Sequence, residues 1–186
     1  VNVAGENQQS TVIKKNNTST VGGIDCVVYA LSCTRFNISN IGVDGMDTTA
    51  TTIASAHSYG FYLRNCSYFD VSNTKARYCL FGYYLYGSYT GGIAQSTAQQ
   101  CKSYGFYTTN SCTSLVFRNT TSFGCGGGWG ITASVYIQLI GCACDLSDAG
   151  GSPGDPFLPY GSGGNYQATA YVFFLQSAQG VTIISP

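Results

Sequence analysis

Acid–base chemistry in this chain would have to come from very few side chains. The carboxylates are Glu6, Asp25, Asp44, Asp47, Asp70, Asp145, Asp148 and Asp155, and His57 is the single histidine. Two close pairs stand out, Asp44 with Asp47 and Asp145 with Asp148. Two carboxylates set several ångströms apart can share the acid and base roles in cleaving a glycosidic bond, and a base beside a neutralising cation can drive an elimination. These four aspartates are the catalytic candidates. The competing reading is plainer: Asp favours hydrated turns, and His57 reads first as a loop residue. No hydrolase or lyase signature is matched residue by residue.

Binding asks less of a sequence than cleavage. The faces of Tyr and Trp rings stack on the C–H faces of sugar rings, while Asn, Gln, Ser and Thr reach hydroxyls. The chain holds 15 Tyr, 10 Phe and one Trp among abundant amides and hydroxyls. Tyr62, Tyr84 and Tyr107 stand at the same place in three similar stretches, with Tyr29 a fourth candidate below them. An outward column of phenols would make an exposed apolar stripe, the usual mark of an interface or a ligand groove. Asp70 and Arg64, with Lys75, Arg77 and Arg118 nearby, could contact an acidic glycan or simply form a solvated face. We take Tyr62, Tyr84, Tyr107, Arg64 and Asp70 as the glycan-binding candidates.

Those residues are positioned by a repeat. Tyr59 to Asn73 reads YGFYLRNCSYFDVSN, and Tyr104 to Asn119 reads YGFYTTNSCTSLVFRN, with one extra residue in the middle. Phe81-Gly82-Tyr83-Tyr84-Leu85 opens the same way between them, and aligning Cys33 with Cys66 puts Phe36 over Phe69 and Ile38 over Val71. Gly60, Gly82, Gly105 and Gly130 mark successive starts, a period of about two dozen residues, which signals a solenoid. Alternation of period two inside each unit makes the units strands and turns rather than helices.

The expected architecture is therefore all-β: a right-handed single-stranded parallel β-helix over residues 1–186. It has about six to seven coils of 22–25 residues and two loop excursions, near 42–58 and 145–167. In this register Tyr59, Phe81, Tyr104, Trp129 and Tyr171 form a second aromatic column, expected to pack in the core or in turns. The polar opening residues, starting without Met, read as a piece of a longer polypeptide.

Composition narrows the classes. Charged residues make up 9% of the chain and the formal net charge is zero, so nothing draws nucleic acid or an anionic membrane. The longest apolar runs are too short to span a bilayer, and no membrane insertion is expected. Nine cysteines cannot all pair within one chain. Cys33, Cys66 and Cys112 share one place in the repeat, and Cys79, Cys101 and Cys125 share another. Stacked about 4.8 Å apart, they read as free buried thiols rather than a disulfide framework. Cys142 and Cys144, one residue apart, match zinc spacing poorly. No metal site and no cofactor are expected.

Gly-aromatic strand starts, Ser-Asn strand ends, stacked Cys and Asn, and the Gly-Glu-Asn opening coil together resemble the right-handed parallel β-helix of the pectate-lyase-like superfamily. Within it they are most similar to the shafts of bacteriophage tailspikes and tail fibres. The resemblance implies a homotrimer in the virion, assembled in the bacterial cytoplasm, that binds and often depolymerises bacterial surface polysaccharide. A free-standing, secreted polysaccharide lyase or hydrolase of the same fold is the alternative, and a non-enzymatic surface adhesin is a third.

Overall fold

A computed structural model describes residues 1–14, 25–45, 58–145 and 171–184. Among them every strand pairing is parallel, and the chain winds through three sheets in turn as a right-handed β-helix. One sheet, called here the tyrosine sheet, stacks Cys26–Leu31, Tyr59–Arg64, Phe81–Tyr86, Tyr104–Thr109, Gly127–Thr132 and Tyr171–Gln176. A seven-stranded sheet follows, from Asn2–Ala4 to Thr182–Ile184. A short sheet of three-residue strands closes each coil, from Val12–Lys14 to Ala143–Asp145.

Period-two patterning explains the core. Val71, Ile93, Phe117, Leu139 and Ile183 align across successive coils, and Phe36 lies over Phe69 as the alignment of cysteines requires. The dominant column is aromatic: Phe61, Tyr83, Phe106, Trp129 and Phe173, with ring centroids 4.9, 4.8, 5.4 and 5.4 Å apart. The first four of these rings are fully buried. Each such side chain contributes about 1.5–3 kcal/mol by leaving water. Tyr83 keeps its hydroxyl satisfied against the Thr74 hydroxyl, 2.9 Å away.

Two expectations about this region need correction. The fifth rung of the tyrosine sheet does not start at Gly130. Phe106 pairs with Trp129, and Tyr107 with Gly130, so Gly128 is the counterpart of Gly60, Gly82 and Gly105. Trp129 belongs to the core column, and Gly127 takes the place assigned to it. The run Gly126-Gly127-Gly128-Trp129-Gly130 offers two glycine–aromatic starts. Burial of the indole on Phe106 selects the one that turns it inward.

The second correction concerns Tyr59, Phe81 and Tyr104. Strict alternation would put Tyr59 and Tyr62 on opposite faces. A side chain at Gly60 would instead point inward, toward Ala76 and Cys79, and its Cβ would fall 2.5 Å from the Gly82 carbonyl. Gly60 and Phe61 thus both face the core, a bulge-like break in the alternation. Tyr59 and Tyr62 both end up outside, their rings 5.1 Å apart.

The corners carry the cysteines. Between the tyrosine and seven-stranded sheets the column runs Cys33, Cys66, Ser88, Cys112 and Ser134. Cys66 donates to the Ala30 carbonyl at 3.4 Å, Ser88 to Leu63 at 3.1 Å and Cys112 to Leu85 at 3.4 Å. Cys66 N–H donates to Ser88 Oγ, and Ser88 N–H to Cys112 Sγ. Thiol and hydroxyl are therefore interchangeable here, each pinning its coil to the one before. All nine cysteines are free. Corner backbones adopt left-handed φ at Asn65 (54°), Asn73 (49°) and Asn119 (51°), a conformation Asn tolerates better than most residues. The extra residue of the second copy is absorbed at such a corner, where Asn110 and Ser111 both have positive φ.

Candidate ligand-binding face

The Gly60 break builds the most distinctive surface of the molecule. Two outward columns, Tyr29–Tyr62–Tyr84–Tyr107 and Tyr59–Phe81–Tyr104, run side by side up the tyrosine sheet. Their rings interlock across the columns: Tyr59 to Tyr84 at 4.8 Å, Phe81 to Tyr84 at 5.1 Å, Phe81 to Tyr107 at 5.2 Å and Tyr104 to Tyr107 at 5.4 Å. Contacts of this kind add about 0.5–1.5 kcal/mol each beyond area burial. Glycines interrupt both columns on the next rung. A Cβ at Gly127 would meet the Tyr104 ring at 2.5 Å, and one at Gly130 the Tyr107 ring at 2.4 Å. The tyrosines cover the gap, and Tyr104 reaches within 6.2 Å of Phe174 on the rung beyond.

Electrostatically the face is neutral. Burial pushes the phenols of Tyr59, Tyr62 and Tyr84 above their usual range, and for Tyr62 nearby Arg64 partly offsets this. Proton chemistry near neutral pH is thereby removed, leaving ring faces and hydroxyls. Thr132 donates to the Tyr107 hydroxyl at 3.1 Å, fixing one of them. Arg64 lies at the rim with its guanidinium 5.3 Å from the Tyr86 ring centre, and its Nε has no hydrogen-bond partner.

The structure brings together Tyr62, Tyr84, Tyr107 and Arg64 of the sequence candidates, but Tyr62, expected in an exposed stripe, is only 6% exposed because neighbouring rings cover it, and Tyr84 and Tyr107 are half-buried. Asp70 is exposed on the seven-stranded sheet, aligned with Asn37 and Gly92, and faces elsewhere. Asp44 is almost buried on the short sheet, where Arg77 Nη2 and Nε each approach its Oδ2 at 3.2 Å. Asp145 occupies the same register column four rungs away, about 19 Å at the spacing of parallel strands. Paired glycosidase carboxylates sit roughly 5–9.5 Å apart, so these two do not form a pair. Asp47, Asp148 and His57 lie outside the described residues. Missing from the candidates were Tyr59, Phe81 and Tyr104, whose outward direction depends on the break at Gly60. The signal available was their recurrence three residues before Tyr62, Tyr84 and Tyr107.

A family model described as periplasmic copper-binding protein (NosD) matches residues 2–155. Among solved structures, a rhamnogalacturonan lyase superposes with a TM-score of 0.65 at 14% identity, covering 96% of this chain and 44% of the lyase. This chain therefore spans less than half the length of that enzyme, and the likeness is one of fold. A Parabacteroides merdae protein provisionally described as a glycosyl hydrolase gives a TM-score of 0.44 at 8% identity, covering 84% of this chain and 83% of its own. Comparison with curated protein sequences returns no match.

The copper in that family description can be tested on the donor set. No three His, Cys, Asp or Glu side chains converge among the described residues. Burial raises the thiols of Cys66, Cys101 and Cys125, and pushes Cys112 and Cys144 up to about 11. Copper ligation needs thiolate, whereas Cys66, Cys101, Cys112 and Cys125 donate their protons to backbone carbonyls. The described residues do not fit copper.

Proposed function

The chain belongs to the family described as periplasmic copper-binding protein (NosD), and we propose that this β-helix member is a polysaccharide-binding module whose ligand lies along the tyrosine sheet. The observation that carries the proposal is the pair of interlocked aromatic columns. The columns form a continuous, half-buried aromatic strip, and contiguous apolar patches of this kind mark binding surfaces. Rungs repeat every 4.8 Å or so, close to the length of one unit in an extended polysaccharide, so successive sugars would meet successive rings. Arg64 at the rim offers a charge-assisted hydrogen bond to an acidic substituent. Affinity electrophoresis through gels containing bacterial envelope polysaccharides, comparing the native protein with Tyr84→Ala, tests the reading. Equal migration of the two in every polysaccharide would reject it.

The word periplasmic in the family description supports an envelope location over a virion one. The tail-shaft reading, with its homotrimer, draws on coil pattern alone, and a clean monomer at high concentration in sedimentation would remove it. Depolymerisation remains a reading of the β-helix lyase likeness. It is tested by following polymer chain length, where unchanged polymer with retained binding leaves a module that holds glycan without cutting it, as an adhesin would.

A further inference from the structure

The corner column that joins the tyrosine and seven-stranded sheets sets two thiols one above the other. Leu31 pairs with Arg64 before the corner and Thr34 with Ser67 after it, with two residues between the pairs on each coil, so Cys33 and Cys66 stand in register. Ser32 N–H donates to the Arg64 carbonyl at 2.8 Å and Ser67 N–H to the Cys33 carbonyl at 3.0 Å, which fixes that alignment. Neighbouring parallel strands lie about 4.8 Å apart, inside the roughly 4.4–6.8 Å between Cα atoms that a disulfide spans. The Cys66 thiol points down the column, donating to the Ala30 carbonyl of the coil below at 3.4 Å, and there it meets the Cys33 thiol.

Among the described residues no other cysteine combines an in-register thiol with open access to solvent. Cys79, Cys101 and Cys125 stack on one another but are fully buried, and Ser88 separates Cys66 from Cys112. The partly exposed thiols of Cys26, Cys142 and Cys144 lie against Tyr59, Thr120 and Ser122. Cys33 is exposed because Cys26–Leu31 is the terminal strand of the tyrosine sheet. It borders an open, mainly apolar hollow of about 340 Å³ shared with Val1, Val3 and Phe36, so a small reagent can reach its sulfur.

We infer that Cys33 and Cys66 are a disulfide-forming pair, closed by exchange with a small-molecule or protein disulfide, that fastens the terminal strand of the tyrosine sheet to the next coil. The Cys33 sulfur attacks the incoming disulfide, displacing one thiol and leaving a mixed disulfide. Cys66 attacks the Cys33 sulfur in turn and displaces the second thiol. Each protein thiol gives its proton to a departing thiolate, so one disulfide is reduced as one is made. Burial raises the Cys66 thiol, which makes it the slower, resolving partner. Terminal strands are where a fold of this kind opens first, and Tyr29, the last ring of its column, rides on this one. The bond therefore holds the end of the aromatic face. The periplasm of the family description is a disulfide-forming compartment; the pairing itself depends on neither location nor glycan binding.

Oxidised glutathione is the probe. The reduced full chain is incubated with it at mildly alkaline pH, alkylated and digested without reductant, and the linkages are mapped by mass spectrometry. The expected product has lost two hydrogen atoms, carries a Cys33–Cys66 cross-link and keeps Cys79, Cys101 and Cys125 as thiols. Cys66→Ser, with serine as at Ser88 and Ser134, should stop at glutathione on Cys33, and Cys33→Ser should leave Cys66 a thiol. Oxidation should raise the thermal unfolding midpoint of the native chain by several degrees and leave that of Cys66→Ser unmoved. A native chain that retains glutathione on Cys33 beside a free Cys66, or joins Cys33 to a second copy, overturns the proposal. So does a Cys33–Cys66 link that forms only in denaturant, and a cross-linked chain with an unmoved midpoint overturns the fastening. Circular dichroism of both variants checks that they fold, and the cross-link map of the native chain stands without them.

Discussion

The tyrosine sheet and the short sheet share one winding but fill their outer faces by opposite rules. Outside the tyrosine sheet, like stacks on like: Tyr29, Tyr62, Tyr84 and Tyr107 in one column, Tyr59, Phe81 and Tyr104 in the other. Outside the short sheet, one column runs Lys14, Asp44, Arg77, Gln99, Phe123 and Asp145, in which neighbouring charges are opposite and no residue type stacks on itself. Parallel in-register strands set equivalent side chains about 4.8 Å apart. Aromatic rings gain from that distance, whereas like charges lose. An extended binding face can therefore be made by repetition.

The largest expected effect comes from breaking the interior stack on which both faces rest. Phe106→Ala removes a fully buried ring held between Tyr83 and Trp129. It should cost about 3–5 kcal/mol in denaturant unfolding. On the short sheet, Arg77→Glu places a second carboxylate on the rung above Asp44. Because Arg77 is about a third exposed, the loss should be nearer 2 kcal/mol than the larger penalty of a fully buried pair. If Arg77→Glu costs nothing while Tyr84→Ala is severe, charge alternation is not what orders the short sheet.

A pH titration separates the shared corners from both faces. Folding raises the Cys112 thiol from 9.0 to about 11. Below pH 9 the thiol is protonated folded or unfolded, and its contribution is fully present. Between about pH 9 and 11 only the unfolded chain ionises, so stability falls as pH rises. Cys112→Ser, which copies Ser88 and Ser134 of the same column, should make that decline shallower in thermal melts from pH 8 to 11. An unchanged slope would show that the corner thiols do not set alkaline stability.

Tyr84→Ala should lower stability by about 2 kcal/mol, less than its four ring contacts would sum to because its ring is partly exposed and its neighbours can close over the gap. Polysaccharide retention should nonetheless drop markedly. The smallest effect belongs to a corner: Asn73 has φ of 49° and donates its side-chain amide to Asn40 Oδ1 at 2.6 Å. Asn73→Gly keeps the backbone conformation and should shift the unfolding midpoint by an amount worth well under 1 kcal/mol. Asn73→Ala should cost about 1 kcal/mol or more.

Much of the winding was readable from letters alone. Cys33 over Cys66, Phe36 over Phe69, Ile38 over Val71 and Asn40 over Asn73 all follow from one offset, and all four recur as neighbours in space. Solenoids are legible because each coil packs only on its neighbours, so a short-range repeat in sequence becomes the long-range order of the fold. Candidate chemistry was less legible. The separation of Asp44 from Asp145 requires counting rungs between them.

Period and period-two alternation, carried by the residues themselves, determined that the chain would coil, which side chains would enter the core, and that Tyr62, Tyr84 and Tyr107 would line up outside. Packing decided what those patterns leave degenerate. Trp129 turned inward because a large indole gains most between Phe106 and Phe173, displacing the start of its rung from Gly130 to Gly128. Tyr59 turned outward because Gly60 alone can sit against the neighbouring Gly82 carbonyl. In both cases a contact between coils, absent from any single stretch of sequence, outweighed the local rule.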